Sequence, residues 1–494
     1  PPLTSSQITA LVVNSVSPFS RFRMRQLAKP GAAKGRPRRA VVGAKEKAVA
    51  GSFRRLCFAA VLAVTFFLYY RFSQLDDPCR GRYIHVCKLP PRFNTDMTRD
   101  ACRGDGRWPA GACESIDNAG LGPPLADPAD GVLTGEDGWY GTRQLALDII
   151  FHNRMKRYEC LTNHTVVATA IFVPFYAALD FARYAGQDNV TRDAASVDLA
   201  EWLKWRFLDD RQRPQDGHDN FLVAGRTARD LARDGGNSGG PNWGTNLLAR
   251  PVGRNLSVLV LESSLAPNAS EFAVPYPTYF HPRTDADVFR WQDRVRGLQR
   301  KWLMAFVSGK PRGTEKAATA TIHDHVMAQC KASDACGHLP PDPDCATGTD
   351  HGECHSPVKA MRLLQSATFC LHPPPGGSPP SYTRRWVFDA MVAGCIPVFF
   401  HPASAHLQYR WHLPEDHAKY SVFIPEAGVR AGTASIEAVL RAIPAATVAR
   451  MREEVVRLIP TVVYADPRGK LETVKDAFDV AVDGMLDRVA RLRH

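Results

Sequence analysis

The chain has 494 residues, 45% of them hydrophobic and 23% charged, ordinary values for a globular protein. That length exceeds one ordinary domain, and the composition excludes a wholly disordered, collagenous or coiled-coil chain. The net charge of +12 would suit a nucleic-acid binder, but residues 1–55 hold twelve Lys/Arg against one acid, Glu46, and leave only +1 for the rest. Nucleic acid is therefore not an expected partner.

Residues 1–55 read as a basic, solvated cytoplasmic tail. The run that follows, Leu56–Tyr70, is uncharged over 15 residues, with Arg54 and Arg55 before it and Arg71 after. As a helix it reaches about 22 Å, short of a ~30 Å hydrocarbon core, and Phe53, Phe72 and snorkelling arginines extend it. Tyr69-Tyr70-Arg71-Phe72 offers no small residues for signal-peptide cleavage, and a buried core helix would show a polar stripe. Residues 56–72 are therefore expected to be a signal-anchor helix, with the basic side cytoplasmic and everything after 72 lumenal. Four N-x-S/T sequons, at Asn163, Asn189, Asn255 and Asn268, follow the run, as do eleven of the twelve cysteines. Cys330, Cys336, Cys345 and Cys354 fall within 25 residues, near His338, His351 and His355. Their spacing is not that of a zinc site, and an oxidising lumen favours disulfides, with at least one thiol left over.

In the body, Val166–Val173 and Ser257–Glu262 read as buried strands. Val288, Trp291, Val295, Leu298 and Trp302 recur at helical spacing and predict a helix over Asp287–Trp302. Leu303–Val307 reads as a strand running into a loop that carries Gly309, Lys310, Arg312 and Gly313, the opening of a Rossmann-like unit. Phe369–Leu371 and Ile396–Phe400 are further strands. Between them lie a Pro/Gly loop (His372–Pro380) and an expected helix over Ser381–Ala393. A last helix carries Val474, Phe478, Val482, Met485, Val489 and Leu492 on one stripe. Strands alternate with helices on both sides of residue 302, which predicts two Rossmann-like α/β domains, 73–301 and 302–494, the second including the C-terminal helix. Ligands in such folds bind at the carboxyl ends of the strands, here in the cleft between domains.

The densest chemistry lies in Ser381-Tyr-Thr-Arg-Arg-Trp-Val-Phe-Asp389. Ser381 or Thr383 can cap a helix whose free N–H groups bind an anion. Arg384 and Arg385 then sit in the first turn, an unfavourable place for cations unless a diphosphate occupies the site. Asp389, one turn deeper, can accept hydrogen bonds from ribose hydroxyls. The plainer alternative for Arg385 and Asp389 is an i,i+4 ion pair.

These stretches together resemble the exostosin-like glycosyltransferase family of plants, in its xyloglucan galactosyltransferase (KATAMARI-type) branch. The resemblance is carried by Cys79–Ile84 with Leu89–Asn94, Asn118-Ala-Gly-Leu-Gly-Pro-Pro124, Ile171–Tyr176 and Phe221–Arg226, and continues in Pro275–Pro282, Ser381–Phe400, Trp411–Pro414 and Tyr464–Pro467. It spans about residues 77–492. It implies a GT-B fold behind an N-terminal transmembrane anchor, and a single-pass type II protein of the Golgi membrane. It also implies inverting transfer of galactose from UDP-galactose to xylosyl side chains of xyloglucan, the acceptor polysaccharide of cell-wall synthesis. Other Golgi glycosyltransferases are expected partners. This sequence reads Asp219-Asn220 where the family usually has Asp-His. Its 375–381 loop is longer and lacks the family's aspartate, and Trp386 replaces a residue that is commonly small.

An inverting transfer needs a base for the acceptor hydroxyl and positive charge for the leaving diphosphate. Asp219, Glu262 and Asp180 are the candidate bases, each with an ordinary ion pair as the alternative. Arg384, Arg385, Lys310, Arg312, Ser381 and Thr383 are the candidate diphosphate ligands, and Asp389 the ribose ligand. No metal and no other cofactor is expected, since the arginines offset the diphosphate. Asp285-Ala-Asp287 mimics a metal-binding D-x-D but opens a helix and reads as a cap. Transfer of arabinose or galacturonate to xyloglucan, and a catalytically degenerate scaffold subunit, are the alternatives. A glycoside hydrolase, which needs two facing carboxylates, does not fit the arginine motif.

Overall fold

The computed structural model describes residues 58–69, 77, 79–103, 108–109, 111–184, 187–209, 217–233, 244–266, 270–308, 320–341, 355–375 and 381–492. Residues 58–69 are helical, with exposed apolar side chains that include Phe66 and Tyr69. Among the described residues no helix is long and apolar enough to cross a membrane. The ends of the expected anchor, 56–57 and 70–72, lie outside them.

The body, residues 75–494, holds two five-stranded sheets in which every pairing is parallel. In chain order the first part comprises β1 (Tyr83–Val86), α1 (Ala112–Gly120), α2 (Leu147–Met155), β2 (Ala168–Phe172), α3 (Ala177–Arg183), β3 (Asn220–Thr227), β4 (Ser257–Glu262) and β5 (Glu271–Ala273). After α4 (Asp285–Gly297) come β6 (Trp302–Val307), α5 (Ile322–Lys331), β7 (Cys336–Leu339), α6 (Pro357–Gln365), β8 (Ala367–His372), α7 (Trp386–Val392), β9 (Ile396–Phe399) and β10 (Val422–Phe423). The chain closes with α8 (Ala477–Leu492).

The central strands are buried on both faces, as the unbroken apolar runs SVLVLE and NFLVAG require of a parallel sheet. Alternate residues divide between two cores. Phe172, Phe221, Val223, Leu259 and Leu261 share a cluster with Phe151 and Phe478, whereas Ile171, Leu222, Ala224, Val258 and Val260 pack with Leu179, Leu199 and Leu203. That division is the two-residue period of a strand.

Strand order in the first sheet is sequential, β1-β2-β3-β4-β5. The second sheet runs β10-β9-β8-β6-β7, so the connection from β6 leads to one side and that from β8 to the other. This reversal opens a crevice at the carboxyl ends of β6 and β8, the topological position where parallel sheets bind ligands. The first sheet has no such point.

Several elements differ from the sequence reading. The helix expected over Asp287–Trp302 starts at Asp285 and stops at Gly297, and Trp302 already belongs to β6. Leu298 turns extended there, and Arg452 takes up the carbonyls of Val295, Arg296 and Leu298 at the helix end. The Arg300 guanidinium donates to the carbonyls of Leu364, Gln365, Ala367, Ala393 and Gly394, holding the ends of α6 and α7 together. Asp287 forms a capping box with Thr284, and Asp285 accepts from Glu472 and Thr473, so both carboxylates of this D-x-D are taken up in backbone capping. The helix expected over Ser381–Ala393 is only Trp386–Val392. The C-terminal helix returns to the first sheet. Phe478 packs on Phe151 with centroids 4.7 Å apart, Arg82 pairs with Asp483 and Asp487, and Arg154 pairs with buried Asp476 at 3.2 Å. Disulfides join Cys79 to Cys160, Cys102 to Cys113, Cys330 to Cys336 and Cys370 to Cys395, and Cys87 is a buried free thiol. Cys345, Cys354 and His351 lie outside the described residues.

Arg300→Met should unfold the body at lower urea, by at least about 3 kcal/mol, because several charge-assisted bonds vanish and buried carbonyls lose their donors. His281 sets a pH dependence. It is fully buried between Thr142 Oγ1 (2.7 Å) and the Tyr464 carbonyl (2.7 Å), and burial pushes its pKa down to about 4. The unfolded value is about 6.5, so the native state holds fewer protons between these limits. The stability it contributes is intact above about 6.5 and lost as pH falls toward 4. Thermal melting from pH 7 to 4.5 should show a shallower decline in His281→Gln than in the wild type.

Candidate active site

The segment 381–384 is not helical and Arg385 only opens α7, and this changes the role of each residue in it. Glu262, at the end of β4, accepts from Ser381 Oγ at 2.6 Å, the Tyr382 N–H at 2.9 Å and Thr383 Oγ1 at 3.2 Å. Tyr276 in turn contacts Thr383 at 3.3 Å. Glu262 is thus a tie between the two sheets, its oxygens occupied by three donors, and Ser381 and Thr383 are spent on it rather than on capping a helix. Arg385 is the N-cap residue of α7 with no side-chain cap bond, and α7 has only seven residues.

Arg385 does not face solvent. Its Nε donates to Asp389 at 3.0 Å, Nη1 donates to the Thr142 carbonyl, and the guanidinium lies 3.6 Å over the Tyr279 ring. Asp389 is completely buried and also accepts the Tyr279 N–H at 3.2 Å. Burial pushes its carboxyl up, opposed by the Arg385 charge. The plainer i,i+4 pair is what forms, inside the core. Both groups are enclosed, which removes Asp389 as a ribose ligand and Arg385 as a diphosphate ligand.

Arg384 behaves differently. It is half-buried, and its charge acts on His372 at the end of β8 and His323 at the start of α5. Burial first, and Arg384 second, pushes His372 down to about 3 and His323 down to about 4. Ser308 follows β6. Its Oγ meets His338 Nε2 at 3.0 Å, and its carbonyl accepts from His355 Nε2 at 2.8 Å. Arg384, Ser308 and four histidines therefore gather around the β6/β8 crevice. Lys310 and Arg312 lie outside the described residues.

The other candidate bases are unsuited by position. Asp219 precedes β3, eight residues or roughly 26 Å before the strand's carboxyl end at Thr227, and accepts from Asn220 at 2.8 Å. Asp180 is buried on α3 and paired with Arg183 at 3.0 Å, and burial pushes it up to about 6.

A cavity of about 270 Å³ lies beside the crevice. Gly111, Glu114, Ser115 and Arg143 form one side, and His355 and Pro357 the other. Tyr279 closes the wall between them, with Arg385 on its ring and Trp386 at 6.3 Å. His355 is 5.6 Å from the same Trp386, so the large residue at 386 backs the cavity wall. The segment 118–124 supplies Pro123 and is backbone-strained: Asn118 and Ala119 both have positive φ, at 49° and 63°. Gly122 is required there, because a Cβ would stand 2.7 Å from the Gly141 carbonyl. Sequence reading used 118–124 only as a resemblance. Its two close-spaced glycines were the available signal of tight backbone, whereas His355 stood out only beside the cysteine cluster and nothing pointed to Glu114 or Arg143.

Known proteins bear on this arrangement. Residues 78–440 match the Exostosin GT47 domain. The xyloglucan galactosyltransferase MUR3 of Arabidopsis thaliana is 50% identical over 419 residues, 85% of this chain and 64% of that protein. The chain thus matches under two thirds of that relative's length. A probable xyloglucan galactosyltransferase, GT12, of the same plant is 42% identical, with 84% of this chain and 78% of that protein covered. The xyloglucan-specific galacturonosyltransferase 1 of Arabidopsis thaliana is 33% identical, covering 84% of this chain and 58% of that one. A solved structure of the glycotransferase of kitacinnamycin aligns at 13% identity with a TM-score of 0.29, over 70% of this chain and 95% of that one, too distant to guide interpretation. With the domain match running from the start of β1 through the second sheet, the chain belongs to the exostosin GT47 family.

Proposed function

We propose that this protein is a GT-B glycosyltransferase that moves galactose from UDP-galactose, with inversion, onto xylosyl side chains of xyloglucan. The carrying observation is the placement of Arg384 beside the neutral rings of His323 and His372 at the switch point of the second sheet, the crevice at β6 and β8, in a chain 50% identical to a xyloglucan galactosyltransferase. Arg384, with Lys310 and Arg312, holds the donor diphosphate and stabilises it as it leaves. The Ser308 hydroxyl and the rings of His323 and His372 line the crevice without added charge. In this reading 73–301 presents the acceptor and 302–476 the donor, while α8 braces the first sheet. The positive charge is supplied by side chains, and no metal or other cofactor is needed.

The anchor reading belongs to the same proposal. A tail at 1–55, an anchor at 56–72 and a lumenal body suit an enzyme of the Golgi membrane, working beside other glycosyltransferases. Disulfides and an exposed sequon at Asn163 support an oxidising, glycosylating compartment. Asn189 and Asn255 are half-buried, and Asn268 lies outside the described residues. Galacturonate is the second donor reading, favoured by the 33% relative that is named for it.

The test is incubation of the purified body with a panel of UDP-sugars and xylose-bearing xyloglucan oligosaccharides, read by mass spectrometry. A gain of one hexose from UDP-galactose alone is expected. A gain of one uronic acid would replace galactose as the donor, and no transfer from any donor would leave the scaffold reading. EDTA in excess should leave the rate within twofold. Arg384→Ala should weaken UDP binding by about 10- to 150-fold in calorimetry, the loss of a charge-assisted contact of about 1.5–3 kcal/mol. The Arg385→Ala variant should instead lose thermal stability, because Asp389 is left charged and buried.

A further inference from the structure

The three carboxylates that sequence selects as bases are all engaged elsewhere or displaced from the cleft. Glu262 is taken by three donors, Asp180 is paired with Arg183, and Asp219 lies at the far end of its strand. A transfer of the proposed kind still needs a group to take the acceptor proton. The cavity beside the crevice supplies one. Of its ten described lining residues, Glu114 is the one carboxylate.

We propose that this cavity seats the acceptor sugar and that Glu114 is the base for the reacting hydroxyl. The proposal rests on the glycosyl-transfer reading above and adds the acceptor site and its catalytic group.

Three observations carry it. Glu114 is exposed, lies in the first turn of α1, and among the described residues has no ion-pair or hydrogen-bond partner. Its backbone is nonetheless fixed on both sides. Cys113 is bonded to Cys102, and Ser115 Oγ donates to the Gly111 carbonyl at 2.6 Å. A free carboxylate on a braced turn is what a base requires and what a surface ion pair does not. Second, the wall is built for close approach. Gly111 has φ of 73°, and a Cβ there would stand 3.1 Å from the Arg143 guanidinium, so the backbone and Arg143 pack face to face at the cavity rim. The strained Asn118–Ala119 pair completes α1, and such strain gathers at ligand sites. Third, the cavity meets the donor crevice. His355 lines it while donating to the carbonyl of Ser308 at the end of β6, and Tyr279 separates it from Arg385. Its volume of about 270 Å³ sits near the lower bound of the ~300–1,000 Å³ typical of small-molecule sites. Tyr279, Leu125, Pro123 and Pro357 offer apolar faces for the C–H side of a sugar ring, with Ser115 and Arg143 for its hydroxyls.

The step balances. Glu114 takes the proton of the acceptor hydroxyl. The oxygen's electron pair forms the new bond to C1 of the donor sugar, from the face opposite the nucleotide. The C1–O bond to the diphosphate breaks, and its electrons leave on UDP. Glu114 then loses the proton to solvent.

The experiment compares the wild-type body with Glu114→Gln and Glu114→Ala, using UDP-galactose and a xyloglucan oligosaccharide. In Glu114→Gln, kcat should fall about 100-fold or more, as removal of a general base does. UDP affinity should stay within twofold, which also shows that the variant is folded. Added formate should restore part of the Glu114→Ala rate and none of the wild type's. Transfer by Glu114→Gln within threefold of an active wild type would overturn the base assignment alone. An inactive wild type would overturn the functional reading, and this role with it.

Discussion

Arg385 is the charge on which the arrangement depends. Its guanidinium is enclosed where α7, the strand-like segment at Tyr279 and the loop at Thr142 meet. A buried cation is tolerable only with partners around it, and here a carboxylate, a carbonyl and an aromatic face provide them. Removing any one partner would leave charge in the core, so the three segments are held to one geometry. Two of them line the cavity, through Gly141, Arg143 and Tyr279. The residue before it, Arg384, has its charge at His323 and His372 instead. Two adjacent arginines thus divide between holding the architecture and facing the crevice.

The two sheets have different capacities. Sequential order in the first leaves no reversal between neighbouring strands, whereas the second reverses at β6 and β8. The nucleotide reading therefore falls on the second sheet for a topological reason, before any residue is considered. The first sheet contributes from its surroundings: α1, the 118–124 turn and the loop before α2 form the opposite wall. Glu262 then closes β4 onto the 381–383 segment.

Much of this was legible in the sequence, and the limits have physical causes. Ser257–Glu262 was read to the residue because a strand buried on both faces is a continuous apolar run. Residues 298–302 were misread because Leu298 and Trp302 continue a helical period that the backbone abandons at Gly297, where Arg452 takes up the last carbonyls. Arg384 and Arg385 look alike in sequence. Only the path of 381–385, fixed by Glu262 from another sheet 119 to 121 residues away, turns one inward. Glu114 was invisible for the converse reason. A lone glutamate in a short helix has no pattern, and its significance comes from the cavity that tertiary packing places before it.

The electrostatics of the crevice follow from burial rather than from the number of charges. His323 and His372 are held neutral mainly because they are buried, and Arg384 reinforces this. Were they to ionise, three cations would share one low-dielectric site and the empty crevice would be costly to keep. Held neutral, the rings add no charge of their own, leaving the field at the crevice dominated by Arg384. A leaving diphosphate gains most from a positive charge that is already in place and needs no reorganisation. The same neutrality makes the site dependent on that arginine, since neither His323 nor His372 can replace its charge above about pH 4.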